Sequence, residues 1–323
     1  MYNDLKMEEK VFVIFNTESI GDILITNTLV RNIKLYFSES KVVIVCDKNM
    51  LEAAKYQMGV SNIVTFDKQK NNSIKGLLSF VKNFPYKKPF ASFVTYANNK
   101  NLIISRLIGS EHIISHHKVK LLNTDEKYKM REYTHMKDKW SGMIEALTNE
   151  HKNLPIKYIP PETDNLLIQK IKELKNPVVL SFTGNLKEND ITIEDCKELI
   201  HLLNINGYTP VMTDSGDIAR QFVITLKKAG CIDFVDIVNC TSFTEFANII
   251  KTCGSCITTN NGTLLLANAL NIPVVEIFYT GLAYMWGSDT NLYPAKILDS
   301  EIDGTITPQN IINAYKELMG VCV

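Results

Sequence analysis

The stretch ITTNNGTLLLANALNIPVVEIF, residues 257–278, decides the fold of this chain. It reads as a buried strand, a tight polar turn, an apolar helix, a short loop and a second buried strand. The turn places Asn260, Asn261, Gly262 and Thr263 at a helix N-terminus, where backbone N–H groups and the positive end of the helix dipole attract anions. Since such a turn between two buried strands is where an α/β protein holds a phosphate, the sequence predicts a phosphate site here.

A related unit stands near the start of the chain. The strand VFVIFN at 11–16 is followed by the polar turn TESIGD at 17–22 and by a predicted amphipathic helix over 21–37. Continuous apolar strands alternate with helices along the rest of the chain, which is typical of parallel sheets buried on both faces. The order βαβαβ implies right-handed crossovers in an open, doubly wound sheet. We expect one such sheet in each half, with the strand at 273–278 completing the second.

The segment NLPIKYIPPETD at 153–164 is the predicted linker between the halves, because it contains three prolines and little apolar periodicity. A length of 323 residues also favours two domains over one. We therefore predict an α/β protein with two Rossmann-like, doubly wound domains, at 1–157 and 158–323, and a cleft between them.

Composition and cysteine usage indicate an ordinary soluble protein. The chain is 45% apolar and 22% charged, and it has no apolar run long enough to span a membrane. Its N-terminus lacks the basic segment and cleavage site of a signal peptide. Seven scattered cysteines, an odd number, are typical of a reduced compartment, so we expect a cytoplasmic location. Cys253 and Cys256 form a lone CxxC, which we expect to pack in the core rather than to bind zinc.

The net charge of zero conceals an asymmetry between the halves. Residues 1–160 carry 24 Lys and Arg against 16 Asp and Glu, whereas residues 161–323 carry 11 against 19. A basic N-terminal half suits an acidic partner, such as an anionic membrane surface or a phosphorylated lipid. The alternative is that the opposite charges only help the two halves face each other.

Five motifs, taken in order, resemble those of glycosyltransferase family 9, the bacterial heptosyltransferases of lipopolysaccharide core synthesis. They are the Ser19–Asp22 turn, ASFVTYANNKNLIISRLIGSEHIISHH at 91–117, YTHMKDKWSGMIEAL at 133–147, the strand, loop, helix and turn at 177–217, and CITTNNGTLLLANALNIPVVEIFYTG at 256–281. Together they cover most of the chain. The resemblance implies the GT-B fold, in which two Rossmann-like domains face each other across a cleft.

The same resemblance implies an inverting, metal-independent glycosyltransferase without a cofactor. Such an enzyme would transfer a heptose from the co-substrate ADP-heptose to a lipopolysaccharide-core or other glycan acceptor, either lipid-linked and anionic or an oligosaccharide. A peripheral contact with the inner face of the membrane would follow. No nucleic acid partner is expected.

Asp22 is the candidate general base, because an inverting transfer needs a carboxylate to take the proton of the acceptor hydroxyl. Glu18 is the reserve base, and His135 is expected to cap its helix rather than to react. The candidates for binding the acceptor are Ser19, Gly21, His116 and His117. The candidates for binding the donor are Thr183, Gly184, Asn185, Lys187, Asn260, Asn261, Gly262, Thr263, Thr280 and Gly281. Among them, Lys187 would neutralise the charge of the leaving group in place of a metal ion.

The chain departs from the family pattern in the last motif and in the donor loop. Asn260 stands where the family has an aspartate, Asn261 where it has a serine or threonine, and Leu265 where it has a histidine. Asn189 occupies the column of the family's donor lysine. These departures leave two alternatives open. One is a related enzyme that uses another nucleotide-sugar, including a sugar-nucleotide epimerase, and the other is a non-catalytic nucleotide-sugar-binding protein.

Overall fold

Two units of α/β structure make up the chain, unit 1 at Met1–Ile156 and unit 2 at Lys157–Val323. The computed structural model describes residues 9–96, 98–116, 135–184 and 191–321. The division between the units falls one residue before the predicted boundary. In these described ranges each unit has one sheet, and the strand pairs in both sheets are parallel, as the continuous apolar strands predict.

The sheet of unit 1 contains β1 (Val11–Phe15), β2 (Lys41–Asp47), β3 (Asn62–Phe66), β4 (Ala91–Val94) and β5 (His112–Ser115). Their order across the sheet is β3-β2-β1-β4-β5. The central strand is β1, in which Phe12 pairs with Val42 on one side and with Ala91 on the other. Its residues from Phe12 to Phe15 are fully buried because both faces of the sheet are covered. Each of the five coincides with a strand that the sequence predicts, namely VFVIFN, KVVIVCD, NIVTFD, FASFVTY and HIISHH.

The helices described in unit 1 are α1 (Ile20–Ile25), α2 (Asn27–Tyr36), α3 (Leu51–Lys55), α4 (Ile74–Asn83), α5 (Asn99–Leu107), α6 (Met136–Ser141) and α7 (Glu145–Thr148). The single helix predicted over 21–37 is divided at Thr26. The Thr26 hydroxyl donates to the backbone carbonyl of Asp22 at 2.7 Å and accepts a hydrogen bond from Asn16 at 2.7 Å. A threonine that bonds back by one turn in this way disturbs the regular helix, which explains the division.

The sheet of unit 2 contains β6 (Pro177–Ser181), β7 (Thr209–Met212), β8 (Val235–Asp236), β9 (Cys256–Thr259), β10 (Val274–Phe278) and β11 (Ala295–Asp299). Their order is β11-β10-β9-β6-β7-β8. The expectation that β10 completes the sheet is wrong, because β11 pairs in parallel with β10. The edge strand β11 is only partly buried and carries Lys296, so it lacks the continuous apolar run that marks the inner strands.

The helices described in unit 2 are α8 (Leu166–Lys172), α9 (Ile193–Ile205), α10 (Asp217–Lys228), α11 (Phe243–Cys253), α12 (Gly262–Leu270), α13 (Ala283–Trp286), α14 (Ser300–Asp303) and α15 (Pro308–Leu318). Every residue of α12 from Thr263 to Ala269 is buried, which accounts for its nearly all-apolar sequence. Within the described ranges of both units, no helix is long and apolar enough to cross a membrane.

Both sheets follow the same strand order. Counted from the first strand of each unit, the order is 3-2-1-4-5, and unit 2 adds a sixth strand beside the fifth. This is the order of Rossmann sheets, in which the connections change direction between the first and fourth strands. The change lies between β1 and β4 in unit 1 and between β6 and β9 in unit 2. Because ligands of such sheets bind outside the carboxyl ends of these strands, the topology points to two edges.

A carboxyl group is buried on β10, the strand next to the edge strand β11 of the unit 2 sheet. Glu276, on β10, is 0% exposed, and Ser288 donates to its carboxylate from the backbone N–H at 3.0 Å and also from the hydroxyl. Burial raises the pKa of Glu276 from 4.5 to about 7, against the opposing effect of the two Ser288 hydrogen bonds. The folded protein therefore binds this proton more tightly than the unfolded chain does.

Replacement of this carboxyl, Glu276→Gln, is expected to change how stability depends on pH. Because the folded pKa is raised, the contribution of Glu276 to stability is fully present below about pH 4.5 and is lost as the pH rises through about 7. Relative to the wild type, the free energy of unfolding of the variant should rise by about 3 kcal/mol over this range, as measured by urea unfolding. The exposed Glu194→Gln variant is the control, and a difference independent of pH for Glu276→Gln would contradict the prediction.

Candidate functional site

The carboxyl edge of β1 holds the candidate base Asp22 in a capped turn. Ser19 is the N-cap of α1, and its hydroxyl accepts a hydrogen bond from the backbone N–H of Asp22 at 3.2 Å. In return, the Oδ2 atom of Asp22 accepts from the Ser19 backbone N–H at 3.2 Å and from the Ser19 hydroxyl at 2.7 Å. This reciprocal arrangement is a capping box with an aspartate in the place of the usual glutamate. It fixes one oxygen of the carboxylate.

The other carboxylate oxygen is held from the neighbouring strand. Tyr96 follows β4, and its hydroxyl donates to Oδ1 of Asp22. Burial raises the pKa of Tyr96 strongly, and the negative charge of Asp22 raises it further, so the tyrosine remains a donor at neutral pH. The ring of Tyr96 meets that of the fully buried Trp140 edge-on, with centroids 4.9 Å apart. Tyr96 is not among the predicted site residues, although its position after the strand beside β1 is a usable signal.

Asp22 therefore lies at the switch point of unit 1, the place between β1 and β4 where the strand connections change direction. Both of its carboxylate oxygens are oriented. It is 8% exposed, and its carboxylate accepts the three hydrogen bonds described above. A carboxylate has about four lone-pair positions, so one of them can still accept a proton or a substrate hydroxyl. Glu18 is only partly buried and receives a long hydrogen bond of 3.4 Å from Thr17, so its carboxylate is less well oriented.

The histidines proposed for the acceptor side behave differently from Asp22. The Nε2 atom of His116 lies 2.9 Å from the backbone carbonyl of Lys139, to which it must donate, and its ring lies 5.2 Å from that of Trp140. Burial, together with the charge of Lys139, lowers the pKa of His116 to about 4, so its imidazole is neutral at pH 7. His116 thus binds a backbone carbonyl of α6. His117 lies outside the described residues. His135 caps α6, since its Nδ1 accepts from the backbone N–H of Lys137 at 3.1 Å.

In unit 2, Asn261 joins the two strands at the switch point. It is the N-cap of α12, and its Oδ1 accepts from the backbone N–H of Thr263 at 2.9 Å and from the Thr258 hydroxyl at 3.0 Å. Its Nδ2 donates to the carbonyl of Ser181 at 3.2 Å and lies 3.0 Å from the Ser181 hydroxyl. Asn261 therefore uses both ends of its side chain inside the protein, tying the turn after β9 to the end of β6.

The loop after β6 is held by a second carboxylate, Asp214, which lies beyond the end of β7. Its oxygens accept from the backbone N–H groups of Phe182 and Thr183 at 3.0 Å each, from the Thr183 hydroxyl at 3.0 Å, and from the Ser181 hydroxyl. Burial of the carboxyl raises the pKa of Asp214 to about 6, although these four donors oppose the rise. Asp214 is not among the predicted site residues, because its partners lie more than 30 positions away in the chain and no local pattern marks the contact.

The remaining donor-site candidates lie around the same edge of unit 2. The backbone N–H of Thr263 is already used by the Asn261 cap, and its hydroxyl oxygen lies 2.8 Å from that of Ser181. Asn260 and Gly262 are partly exposed at the start of α12, where an anion would meet the positive end of the helix dipole. Leu265, which stands in the place of the family's histidine, is buried at 8% exposure.

The loop after β10 requires a glycine. Gly281 has a φ of +66°, and a β-carbon added to it would lie 2.2 Å from the side chain of Glu301. Thr280, beside it, is partly exposed. Gly184 packs against the turn at Asn260 and Asn261, so three strand ends contribute to this edge. Asn185 and Lys187 lie outside the described residues.

Side chains able to ligate a metal, and cysteine thiols, occur in the described parts of both units. Within the described residues, no group of three or more His, Cys, Asp or Glu side chains is placed to hold a metal ion. Cys256 is buried in β9 and Cys253 is partly buried, and both are free thiols. Burial raises the pKa of Cys253 to about 12 and that of Cys256 well above its ordinary value, as expected for cysteines packed in a core.

Comparison with known proteins finds solved structures of similar fold but no similar sequence. At the level of sequence, no protein-family profile and no curated protein matches the chain. Among solved structures, a glycosyl transferase family 9 protein from Veillonella parvula superposes with a TM-score of 0.84 at 15% identity, over 96% of this chain and 97% of the other. The E. coli ADP-heptose lipopolysaccharide heptosyltransferase II gives 0.75 at 14% identity over 96% and 98%. The E. coli heptosyltransferase WaaC with ADP gives 0.73 at 13% identity over 95% and 99%.

The chain has the fold of glycosyltransferase family 9. The resemblance that the five sequence motifs indicate is thereby confirmed at the level of the fold, and so is the expectation of two Rossmann-like units of the GT-B type. The roles of the individual site residues stay predictions.

Asn261 should contribute to the free energy of unfolding through its contacts in unit 2. Asn261→Ala removes the cap of α12 and leaves its former partners at the end of β6 without a donor, so the free energy of unfolding should fall by about 1–3 kcal/mol. Asn261→Asp should lose less, because its carboxylate still caps the helix. The exposed Asn99→Ala variant, expected to stay within about 0.5 kcal/mol of the wild type, is the control in urea unfolding. Equal stability of Asn261→Ala and wild type would contradict the inference that Asn261 stabilises the contact between α12 and β6.

Proposed function

We propose that this protein is a glycosyltransferase that transfers a heptose from ADP-heptose to a glycan acceptor, with inversion at the anomeric carbon. The observation that carries the proposal is the orientation of Asp22 at the switch point of unit 1. Ser19 and Tyr96 hold its two oxygens, and a carboxylate fixed in this way suits proton abstraction from a hydroxyl. The family 9 fold supports the reaction class, since the similar proteins are named as glycosyl and heptosyltransferases.

In the proposed mechanism, the acceptor hydroxyl donates a hydrogen bond to the remaining lone-pair position of Asp22. Asp22 takes its proton while the hydroxyl oxygen attacks the anomeric carbon from the face opposite the leaving group. The bond to the nucleoside diphosphate breaks, and its electrons leave with the phosphate oxygen. Ser19 and Tyr96 keep the carboxylate in its productive orientation, so the entropic cost of aligning base and hydroxyl is reduced.

The donor would be held at the carboxyl edge of the unit 2 sheet. The start of α12 at Asn260 and Gly262 offers the helix dipole to the diphosphate, and the loop at Thr183 and Gly184 lies beside it. An amide at Asn260, in place of the family's aspartate, removes a negative charge next to a charged leaving group. Lys187, outside the described residues, is the candidate for neutralising that group without a metal ion. The acceptor is proposed to be anionic or lipid-linked and reached at the inner face of the membrane.

Nucleotide binding gives the first test of the donor. A ligand that binds only the folded state raises the melting temperature by mass action, and ADP or ADP-heptose at about 100 times its Kd should raise it by about 5 °C. A thermal-shift screen would compare these ligands with GDP-, UDP-, CMP- and dTDP-linked counterparts. A selective response to another nucleotide would change the donor and keep the reaction class. The absence of any response would support a protein that does not bind nucleotide-sugars.

Asp22→Asn gives the test of the chemistry. Because the amide cannot accept the proton, kcat should fall by about 10²–10⁴-fold, while the Kd for the donor should stay unchanged. The measurement is release of the nucleoside diphosphate with and without acceptor. Release of the nucleoside diphosphate that needs no acceptor would indicate a hydrolase instead, and conversion of the donor into its epimer without net release would indicate an epimerase.

Glu18→Gln is the matched control, because it removes the neighbouring carboxylate of the same turn. It should keep transfer within a few-fold of the wild type. Loss of activity in Glu18→Gln with full activity in Asp22→Asn would move the base to Glu18. Full activity in both variants would contradict carboxylate catalysis at this turn.

A further inference from the structure

One helix of unit 1 presents apolar side chains to solvent. On α4, Ile74 is 80% exposed and Leu78 is 52% exposed. They lie one turn apart, so they occupy the same side of the helix. The adjoining side of α4 carries Leu77, Phe80 and Val81, which pack against the core of the unit. The exposed pair is therefore a feature of the outer face alone.

The chain segment that carries this face has only basic charges. Residues 68–88 contain no Asp or Glu and have six lysines, all of them exposed: Lys68, Lys70, Lys75, Lys82, Lys87 and Lys88. Lys75 and Lys82 flank Leu78 at the spacing that puts all three on one face of the helix. The acid just before this run, Asp67, lies 3.7 Å from Lys48 and is thereby partly neutralised. We call Ile74, Lys75, Leu78 and Lys82 the α4 face.

We propose that the α4 face docks the protein on an anionic lipid bilayer. Apolar side chains between lysines are the composition of helices that lie in the membrane interface, where the apolar groups enter the acyl boundary and the ammonium groups meet lipid phosphates. A polynucleotide would match the lysines but not Ile74 and Leu78, since phosphate binding draws on cationic and polar side chains. The joint presence of both features favours lipid.

The position of α4 gives this docking a consequence for the site. The helix starts directly after the loop from β3, so its N-terminal end lies at the carboxyl edge of the sheet, the edge that also carries Asp22. Since β3 and β1 are two strand positions apart, the edge of β3 lies about 10 Å from that of β1. A membrane against Ile74 would therefore bring lipid-linked hydroxyls toward Asp22. The delivery of acceptor hydroxyls to Asp22 rests on the proposed function, whereas the docking of the α4 face on a bilayer does not.

The test is cosedimentation of the full chain with phosphatidylcholine vesicles, with and without phosphatidylglycerol, in the absence of donor and acceptor. The wild type should bind only the vesicles that contain phosphatidylglycerol, and less so at high salt. Since each lysine near an anionic surface contributes about a fivefold factor, Lys75→Gln/Lys82→Gln should bind about 25-fold more weakly. Ile74→Ser/Leu78→Ser should weaken binding by about tenfold or more.

A matched control is available on α8, where Leu166 is 67% exposed beside the exposed Lys170. Leu166→Ser/Lys170→Gln should bind vesicles within about twofold of the wild type, and thermal unfolding checks that all variants are folded. Wild-type affinity in both α4 variants, equal loss in the α8 control, or binding to an RNA oligonucleotide but not to vesicles would each overturn the proposal. Because the assay involves no transfer, retained vesicle binding with no glycosyl transfer would contradict the proposed function and leave the docking intact.

Discussion

At the carboxyl ends of the parallel strands, backbone N–H and C=O groups no longer find hydrogen-bond partners in a neighbouring strand. The rest of the structure depends on which groups bond to them instead. Backbone N–H and C=O groups near the core are costly when they lack partners. In unit 2, Asp214 accepts from the N–H groups of Phe182 and Thr183, and Asn261 donates to the carbonyl of Ser181. Polar side chains from neighbouring strands thus close the edge where regular hydrogen bonding stops.

The same constraint brings the candidate site residues together. Side chains that satisfy a strand end must come from adjacent loops, so they converge at the switch point, where ligands of Rossmann sheets bind. In unit 1 this convergence brings Tyr96 from the end of β4 to Asp22 in α1, and it leaves an oriented carboxylate. In unit 2 the polar groups are more fully used, because Asn261 and Thr263 bond to each other and to Ser181. A diphosphate bound at that edge, as proposed, would therefore meet mainly Asn260 and Gly262 at the start of α12.

Much of the fold could be predicted from local patterns. The strands from β1 to β10 are short and nearly all apolar or lie between clear turn signals, and burial on both faces of a parallel sheet imposes that composition. Two features of the fold were not predicted from the sequence, and each has a physical reason. The edge strand β11 is half solvated and so lacks the pattern, while the division of the first helix at Thr26 arises from side-chain bonds to Asn16 and Asp22. The latter depends on a threonine conformation that periodicity does not record.

The sequence by itself determined the two Rossmann-like units, the turns at which a base and an anion site would stand, and the asymmetry of charge. These follow from residue types that act over a few positions, through burial, capping and glycine conformation. Only the tertiary structure decided that Tyr96 holds Asp22, that Asp214 holds the loop after β6, and that Asn261 is committed to the protein interior. Each of these contacts joins residues 31 to 80 positions apart in the chain, and such pairs meet only after the strands have taken their order in the sheet.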